Sequence, residues 1–362
     1  MIRDAEIAAF LAAHGCGEAS LAPLAQDASF RRYLRIGGGM VNTPAGGRGG
    51  RPADCGVVTP PPAPLPQGEA EKGQQNGIRA VLMDAPPPED VRPFLRIAEH
   101  LAGIGVSVPR IIAADIEKGL LLEEDLGDDL FSAILTPDNA ETLFDAAVDA
   151  LVAMQRAAPP DGLVCWDAGQ MAAFALGTFF DWWWPAAFGS PPPEAARADV
   201  ADALAAMLTP VAEGPRGFVH RDFFAGNLLW LPDRTGIRRV GVIDFQLASL
   251  GHPAYDMASL LQDARRDLDP VLEDRMLARY LQSRPEYDPV AFRAAYDACA
   301  AQRHLRVACQ WVRLARRDGR PQYLAHGPRT WALLDRALQR QAAAPLAAAL
   351  DRWVPQKLRG NP

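Results

Sequence analysis

The segment 218–244 constrains this chain more than any other. It reads Phe218-Val219-His220-Arg221-Asp222-Phe223-Phe224-Ala225-Gly226-Asn227, then an apolar run over 228–231. The turn Pro232-Asp233-Arg234-Thr235-Gly236 follows, then a second run over 239–243, and Asp244. Two short apolar runs around a turn with proline and glycine predict a β-hairpin. A hairpin sets the residues at its open end side by side, so Asn227 and Asp244 are expected neighbours, with Asp222 one short loop away. Phosphoryl transfer from a nucleoside triphosphate needs such a trio. One carboxylate orients an acceptor hydroxyl and takes its proton, while an amide oxygen and a second carboxylate hold magnesium against the phosphates. Asp222 is the candidate catalytic base, Asn227 and Asp244 are the candidate metal ligands, and His220 is expected to support the loop backbone.

The surroundings of this hairpin predict the architecture. From residue 125 onward the chain is mainly helical, with Leu143, Ala147, Leu151 and Met154 at helical spacing and helices resuming from Ala254. The first third is mixed. Helices are expected over 4–14 and 90–103, and strands over 21–24, 30–36, 80–83, 108–112 and 119–123. This pattern predicts an α+β chain of two lobes, a small mixed sheet-plus-helix lobe followed by a larger, mainly helical one. Residues 37–77 are rich in glycine and proline and lack periodicity, so they read as a disordered insertion between two strands. Their Gly-Gly-Arg-Gly-Gly-Arg cluster follows no strand and opens no helix, and is no phosphate loop.

Composition excludes several classes. With 362 residues and 49% hydrophobic content, the chain is ample for a large core. A formal net charge of -7 argues against nucleic acid as a partner. Five widely spaced cysteines without a Cys-x-x-Cys pair argue against a disulfide framework and suit a reducing compartment. The start Met-Ile-Arg-Asp-Ala-Glu has acids at Asp4 and Glu6, and no apolar run approaches membrane-spanning length. The expectation is a cytoplasmic monomer with no membrane partner.

Further stretches carry a resemblance. Asp27-Ala-Ser-Phe-Arg-Arg-Tyr33, Val81-Leu-Met-Asp-Ala-Pro-Pro87, Leu121-Leu-Glu-Glu-Asp-Leu-Gly127, residues 218–227, Val242-Ile-Asp-Phe-Gln246 and Tyr255-Asp-Met-Ala-Ser-Leu-Leu261 resemble the aminoglycoside phosphotransferase (choline-kinase-like) superfamily. Gln302-Arg-His-Leu305, Arg317-Asp-Gly-Arg320 and Tyr323-Leu324 extend the likeness, which covers nearly all of the chain outside 37–77. Within the superfamily the sequence is most similar to bacterial kinases of the anomeric hydroxyl of N-acetylmuramate and N-acetylglucosamine, as in peptidoglycan recycling. The resemblance implies a protein-kinase-like fold, ATP and Mg2+ as cofactors and a small sugar as substrate. It implies lobes over 1–123 and 127–362, joined by a hinge at Glu124, Asp125 and Leu126 whose backbone meets adenine. Asp27, Ala28 and Ser29 are implied to lie over the nucleotide phosphates, and Asp256 to brace the catalytic loop. Two departures stand out. The hinge has one glutamate more than usual, and Met83 stands where most kinases carry a phosphate-clamping lysine.

Three readings of the residues bear on these gaps. Period-two alternation puts Phe30, Arg32, Leu34 and Ile36 on one strand face, which makes Arg32 a candidate for the missing cation, with pairing to Asp27 or Asp84 as the equal alternative. The block Phe179-Phe180-Asp181-Trp182-Trp183-Trp184 reads mostly as core, because consecutive residues cannot all face one cleft. Segment 301–341 is rich in arginine, with only Asp318 and Asp335 opposing it. Such a run is often a solvated face, but it also suits the carboxylate of N-acetylmuramate better than a polycation, and Arg303, Arg306 and Arg313 are the candidates. Rival readings are another small-molecule kinase of the aminoglycoside or choline type, and a nucleotide-binding pseudokinase.

Overall fold

Alternating side chains build the first unit outward from one strand. The computed structural model describes residues 2–24, 31–41 and 78–362. The chain divides into two units, Met1–Val91 with Arg110–Asp125, and Arg92–Pro109 with Leu126–Pro362. The first unit therefore lacks the 92–109 stretch that the lobe boundaries read from the sequence had placed in it. It comprises α1 (Ile2–Ala13), β1 (Ser20–Pro23), β2 (Arg32–Val41), β3 (Ile78–Asp84), β4 (Ile111–Asp115) and β5 (Leu120–Glu124). The strands form an antiparallel sheet in the order β1-β2-β3-β5-β4. Ile36, Ala80, Leu82, Leu120 and Leu122 alternate onto one face and bury against Ile7, Phe10 and Leu11 of α1. Each fully buried leucine there contributes about 1.5–3 kcal/mol.

Two boundaries differ from the sequence reading. β2 continues through Gly37 to Val41, where the reading began its insertion, because pairing with β3 resumes after a register shift at Val41 and Ile78. Backbone pairing to a well-formed neighbour overrides the weak strand propensity of glycine. β4 starts at Ile111, after Pro109 rather than before it, since proline has no N–H to give to a ladder. The remaining insertion, 42–77, lies outside the described residues, as do Asp27, Ala28 and Ser29. Between β4 and β5 the turn needs glycine. Gly119 has φ +62°, and a Cβ there would lie 1.9 Å from the carbonyl oxygen of Ala85.

The second unit is helical with two small sheets among its described residues. α2 (Arg92–Gly103) buries Phe94, Ile97 and Leu101, the face expected from their spacing. Then come α3 (Phe131–Ile134), α4 (Ala140–Arg156), β6 (Val164–Trp166), α5 (Ala168–Thr178), α6 (Trp184–Phe188), α7 (Glu194–Met207), α8 (Thr209–Glu213) and β7 (Gly217–Val219). β8 (Leu228–Trp230), β9 (Val240–Val242), β10 (Ser249–Gly251), α9 (Ala254–Leu261), α10 (Pro270–Ser283), α11 (Pro289–Arg317), α12 (Gly327–Leu338) and α13 (Ala344–Trp353) complete it. The expected hairpin is the β8–β9 pair. The aromatic block forms a π-helical turn over Phe179–Trp183. Phe179, Phe180, Trp183 and Trp184 are buried, with Phe179 stacked on Trp183 at 5.3 Å, so most of the block is core, while Asp181 is exposed. A three-stranded sheet, β6-β10-β7, went unread in the sequence. No described helix is long and apolar enough to cross a membrane.

Candidate active site

The loop that carries Asp222 leaves β7 and is fixed from beneath by α9. Asp256, fully buried in the first turn of α9, accepts the backbone N–H of His220 at 2.7 Å and of Arg221 at 2.9 Å. Burial pushes its carboxyl up to about 7, against the pull of those two N–H groups and of the Arg303 guanidinium. His220 ties the loop to the end of β9. Its Nε2 lies 3.1 Å from the carbonyl oxygen of Ile243, and the Asp222 N–H meets its Nδ1 at 3.3 Å. Those partners assign the ring proton to Nε2, and burial pushes the imidazole down to about 4, so it is neutral at pH 7. His220 and Asp256 thus support the loop in the way expected of them.

The hairpin then completes the trio. β8 and β9 pair with Leu228 opposite Val242, and the Ile243 N–H continues the ladder to the carbonyl of Asn227 at 3.1 Å. Asp244 follows in the left-handed region at φ 64°, which turns its side chain back toward Asn227. The Asn227 amide nitrogen donates to the Asp222 carbonyl at 2.9 Å and lies 3.4 Å from Asp244 Oδ2, and Gln246 donates to Asp244 Oδ1 at 2.6 Å. Phe245, next to Asp244, stacks on Phe94 of α2 at 4.6 Å, which holds the strand end in place. Asp222, Asn227 and Asp244 are therefore brought together as the sequence predicts. Gln246 is a partner that spacing did not reveal.

Arg221 is the second left-handed residue, at φ 76°. For an L-residue other than Gly, Asn or Asp this conformation costs about 1–2 kcal/mol. Its guanidinium lies 3.8 Å from the ring centroid of Trp166, which is buried and packs edge-on against Tyr255 at 5.7 Å. Trp166 had no sequence signal, because it lies more than fifty residues before the loop it supports.

Magnesium fits this site as an oxygen-ligated ion. Asn227 and Asp244 lie against one another, with Nδ2 3.4 Å from Oδ2, so an amide and a carboxylate are offered at one place. Among the described residues no group of three or more His, Cys, Asp or Glu converges to hold an ion. Two hard oxygen donors suit magnesium, which keeps waters and phosphate oxygens in its other positions.

The candidates in the first unit are placed differently. Arg32 stands directly across the sheet from Asp84 and donates to it from Nε at 2.9 Å, while Arg3 of α1 donates to the other carboxylate oxygen, also from Nε at 2.9 Å. Asp84 has no solvent exposure. Arg32 is thus in an ion pair with Asp84, one of the partners offered for it. At the expected hinge, the Glu124 N–H bonds the carbonyl of Arg110 and the Asp125 N–H bonds that of Arg79, both at 2.9 Å. Arg35 pairs with the Asp125 carboxylate at 2.8 Å, and the division between units falls between Asp125 and Leu126. In α11, Arg303 is 4% exposed with its guanidinium 5.9 Å from the Tyr255 ring, and Arg306 reaches the Tyr255 hydroxyl at 3.4 Å. Arg313 lies seven residues further along the same helix face.

The sequence pattern of the phosphotransferase enzyme family matches residues 69–293, which includes this loop and hairpin. The chain belongs to that family. This phosphotransferase is 37% identical over 371 residues to the N-acetylmuramate/N-acetylglucosamine kinase of Caulobacter vibrioides, covering 99% of the chain and 98% of the relative. It is 33% identical to the protein of the same name from Pseudomonas aeruginosa, covering 95% and 92%. Among solved structures, a choline/ethanolamine kinase family protein from Mesorhizobium loti shares the fold with a TM-score of 0.58 at 14% identity, over 97% of this chain and 100% of that one. The GDP complex of aminoglycoside 2'-phosphotransferase-IIIa does so with a TM-score of 0.57 at 13% identity, over 93% and 98%.

Proposed function

We propose that this phosphotransferase transfers the γ-phosphoryl group of ATP to the anomeric hydroxyl of N-acetylmuramate and of N-acetylglucosamine. The observation that carries the reading is the Asp222–Asn227–Asp244 constellation, on a loop braced by Asp256 and His220, in a chain similar to proteins named N-acetylmuramate/N-acetylglucosamine kinase. Asp222 accepts the proton of the anomeric hydroxyl as its oxygen forms a bond to the γ-phosphorus and the bond to ADP breaks. The Asn227 oxygen and the Asp244 carboxylate would hold magnesium, which when bound would neutralise charge on the phosphates. Gln246, bonded to Asp244, keeps that carboxylate turned toward Asn227. Asp256 and His220 hold the backbone of the Asp222 loop without touching substrate.

At the hinge, the N–H groups of Glu124 and Asp125 already serve the sheet. In this reading the backbone of Glu124, Asp125 and Leu126 meets adenine. Asp27, Ala28 and Ser29 cover the phosphates in this reading. The protein acts as a monomer in the cytoplasm, on sugars recovered from the cell wall. The test is sugar-dependent release of ADP across N-acetylmuramate, N-acetylglucosamine, choline and kanamycin, with the phosphorylated position read by phosphorus NMR. Anomeric phosphates of the two amino sugars support the reading, and a 6-phosphate or kanamycin turnover sinks it.

A further inference from the structure

The second unit gathers arginines of two kinds. Around a cavity of about 410 Å³ lined by Leu261, Arg266, Arg329 and Arg336, every guanidinium has an acceptor. Arg329 pairs with Asp267, Arg336 with Glu273, and Arg266 with the carbonyls of Ser132 and Leu135. Beside Asp222 the balance is reversed. Arg221, Arg306 and Arg313 each hold a buried Nε without an acceptor, and Arg303 a buried Nη1, and none of the four forms an ion pair among the described residues. A guanidinium nitrogen sheltered from water without an acceptor is unfavourable. Arg221 and Arg306 repel one another electrostatically, as do Arg306 and Arg313. Of the nearby acids, Asp256 holds two backbone N–H groups, Asp318 is paired with Arg317, and Asp222 acts on Arg221 electrostatically.

Backbone conformation adds an independent observation. Arg221 occupies a left-handed conformation that glycine would adopt without strain. An arginine kept there has a use for its side chain, and that side chain lies flat on Trp166 with its Nε turned inward.

We propose that Arg221, Arg306 and Arg313 form an anion subsite beside Asp222 that receives the lactyl carboxylate of N-acetylmuramate and so sets preference between the two amino sugars. This rests on the sugar-kinase reading above. Arg221, Arg306 and Arg313 are each only partly buried as residues, and a carboxylate at their open side would accept from their guanidiniums in a forked geometry. Tyr255, bonded by Arg306 and packed on Trp166, fixes the spacing between the loop arginine and the helix arginines. N-acetylglucosamine, which lacks the carboxylate, gains nothing from this subsite.

The experiment compares kcat/KM for N-acetylmuramate, its neutral methyl ester and N-acetylglucosamine in the wild type and in Arg306→Met, Arg313→Met and Arg221→Gly. Calorimetric binding of N-acetylmuramate and its ester accompanies the kinetics. We expect the ratio of N-acetylmuramate to N-acetylglucosamine to fall about 10–100-fold in Arg306→Met, the scale of a charge-assisted fork. In the wild type the ester should behave like the neutral sugar. Arg221→Gly should lower the same ratio while its melting temperature holds or rises, because glycine relieves the left-handed backbone. If both sugars lose equally and the KM for ATP rises, the cluster serves a nucleotide phosphate and the proposal is overturned. An unchanged ratio in all three variants also overturns it. A wild type that phosphorylates neither sugar removes the underlying reading and this inference together, an outcome distinct from a lost preference.

Discussion

Asp84 in the first unit and Asp222 in the second both have arginines for neighbours, and the two settings differ in charge balance. Asp84 is fully buried with Arg3 and Arg32 each donating to one of its oxygens, so the group is saturated and closed. Around Asp222, guanidinium nitrogens are in surplus and several have no acceptor. A saturated pair fixes structure, whereas guanidinium nitrogens without acceptors are the basis of the anion subsite proposed above. Arginine count alone does not separate the two. Segment 301–341 looked uniformly basic in sequence, yet Arg317, Arg329 and Arg336 are paired while Arg306 and Arg313 are not.

That contrast can be broken from either side. The largest effect is expected at Asp222. Asp222→Asn should keep nucleotide affinity and lose about 10²–10⁴ in turnover, the range for a positioned general base. Single-turnover kinetics beside nucleotide titration checks it, and turnover near the wild type would contradict the role. At Asp84 the expected loss is in stability. Asp84→Asn leaves two guanidiniums facing a neutral amide and should cost about 3 kcal/mol, at the low end for a broken buried pair because Arg32 is half exposed. Urea unfolding measures it, and an unchanged midpoint would show that the pair is not structural.

His220 offers a test by pH. Its folded-state pKa is depressed to about 4, so the unfolded chain binds its proton first and stability is lost as pH falls from about 6.5 toward 4. Asp256, raised to about 7, contributes in the opposite sense over roughly the same window. The informative quantity is therefore the difference between proteins. His220→Asn should show a slope of stability against pH lower than the wild type by up to about 1.4 kcal/mol per pH unit there. Equal slopes would mean that the imidazole is not buried neutral. The smallest effect is expected at Arg32, where Arg32→Met should cost about 0–1 kcal/mol, because its carboxylate keeps Arg3 and its own side chain is 50% exposed. A strong rise in the KM for ATP would return Arg32 to the nucleotide.

Much of the fold and the trio was legible in the sequence, for a physical reason. The HRDxxxxN spacing, the hairpin turn and Asp244 are local signals within one segment, and a tight hairpin converts them into three-dimensional neighbours with few alternatives. Alternation in β3 and helical spacing in α2 were likewise local. What stayed hidden depends on long-range pairing. β6, β7 and β10 have three residues each, too few for a period, and find one another only in the folded unit. Trp166 under Arg221 and the choice of Asp84 by Arg32 are of the same kind. The left-handed φ of Arg221 leaves no trace in a motif that names arginine there.

The central claim is that Asp222, Asn227 and Asp244 drive phosphoryl transfer to the anomeric hydroxyl of an amino sugar. The most direct measurement is phosphorus NMR of the product formed from ATP, magnesium and N-acetylmuramate by the wild type and by Asp222→Asn. The account predicts an anomeric sugar phosphate accumulating with ADP in the wild type and at least about 100-fold more slowly in the variant. A product phosphorylated at another hydroxyl, or equal rates from the two proteins, would contradict it.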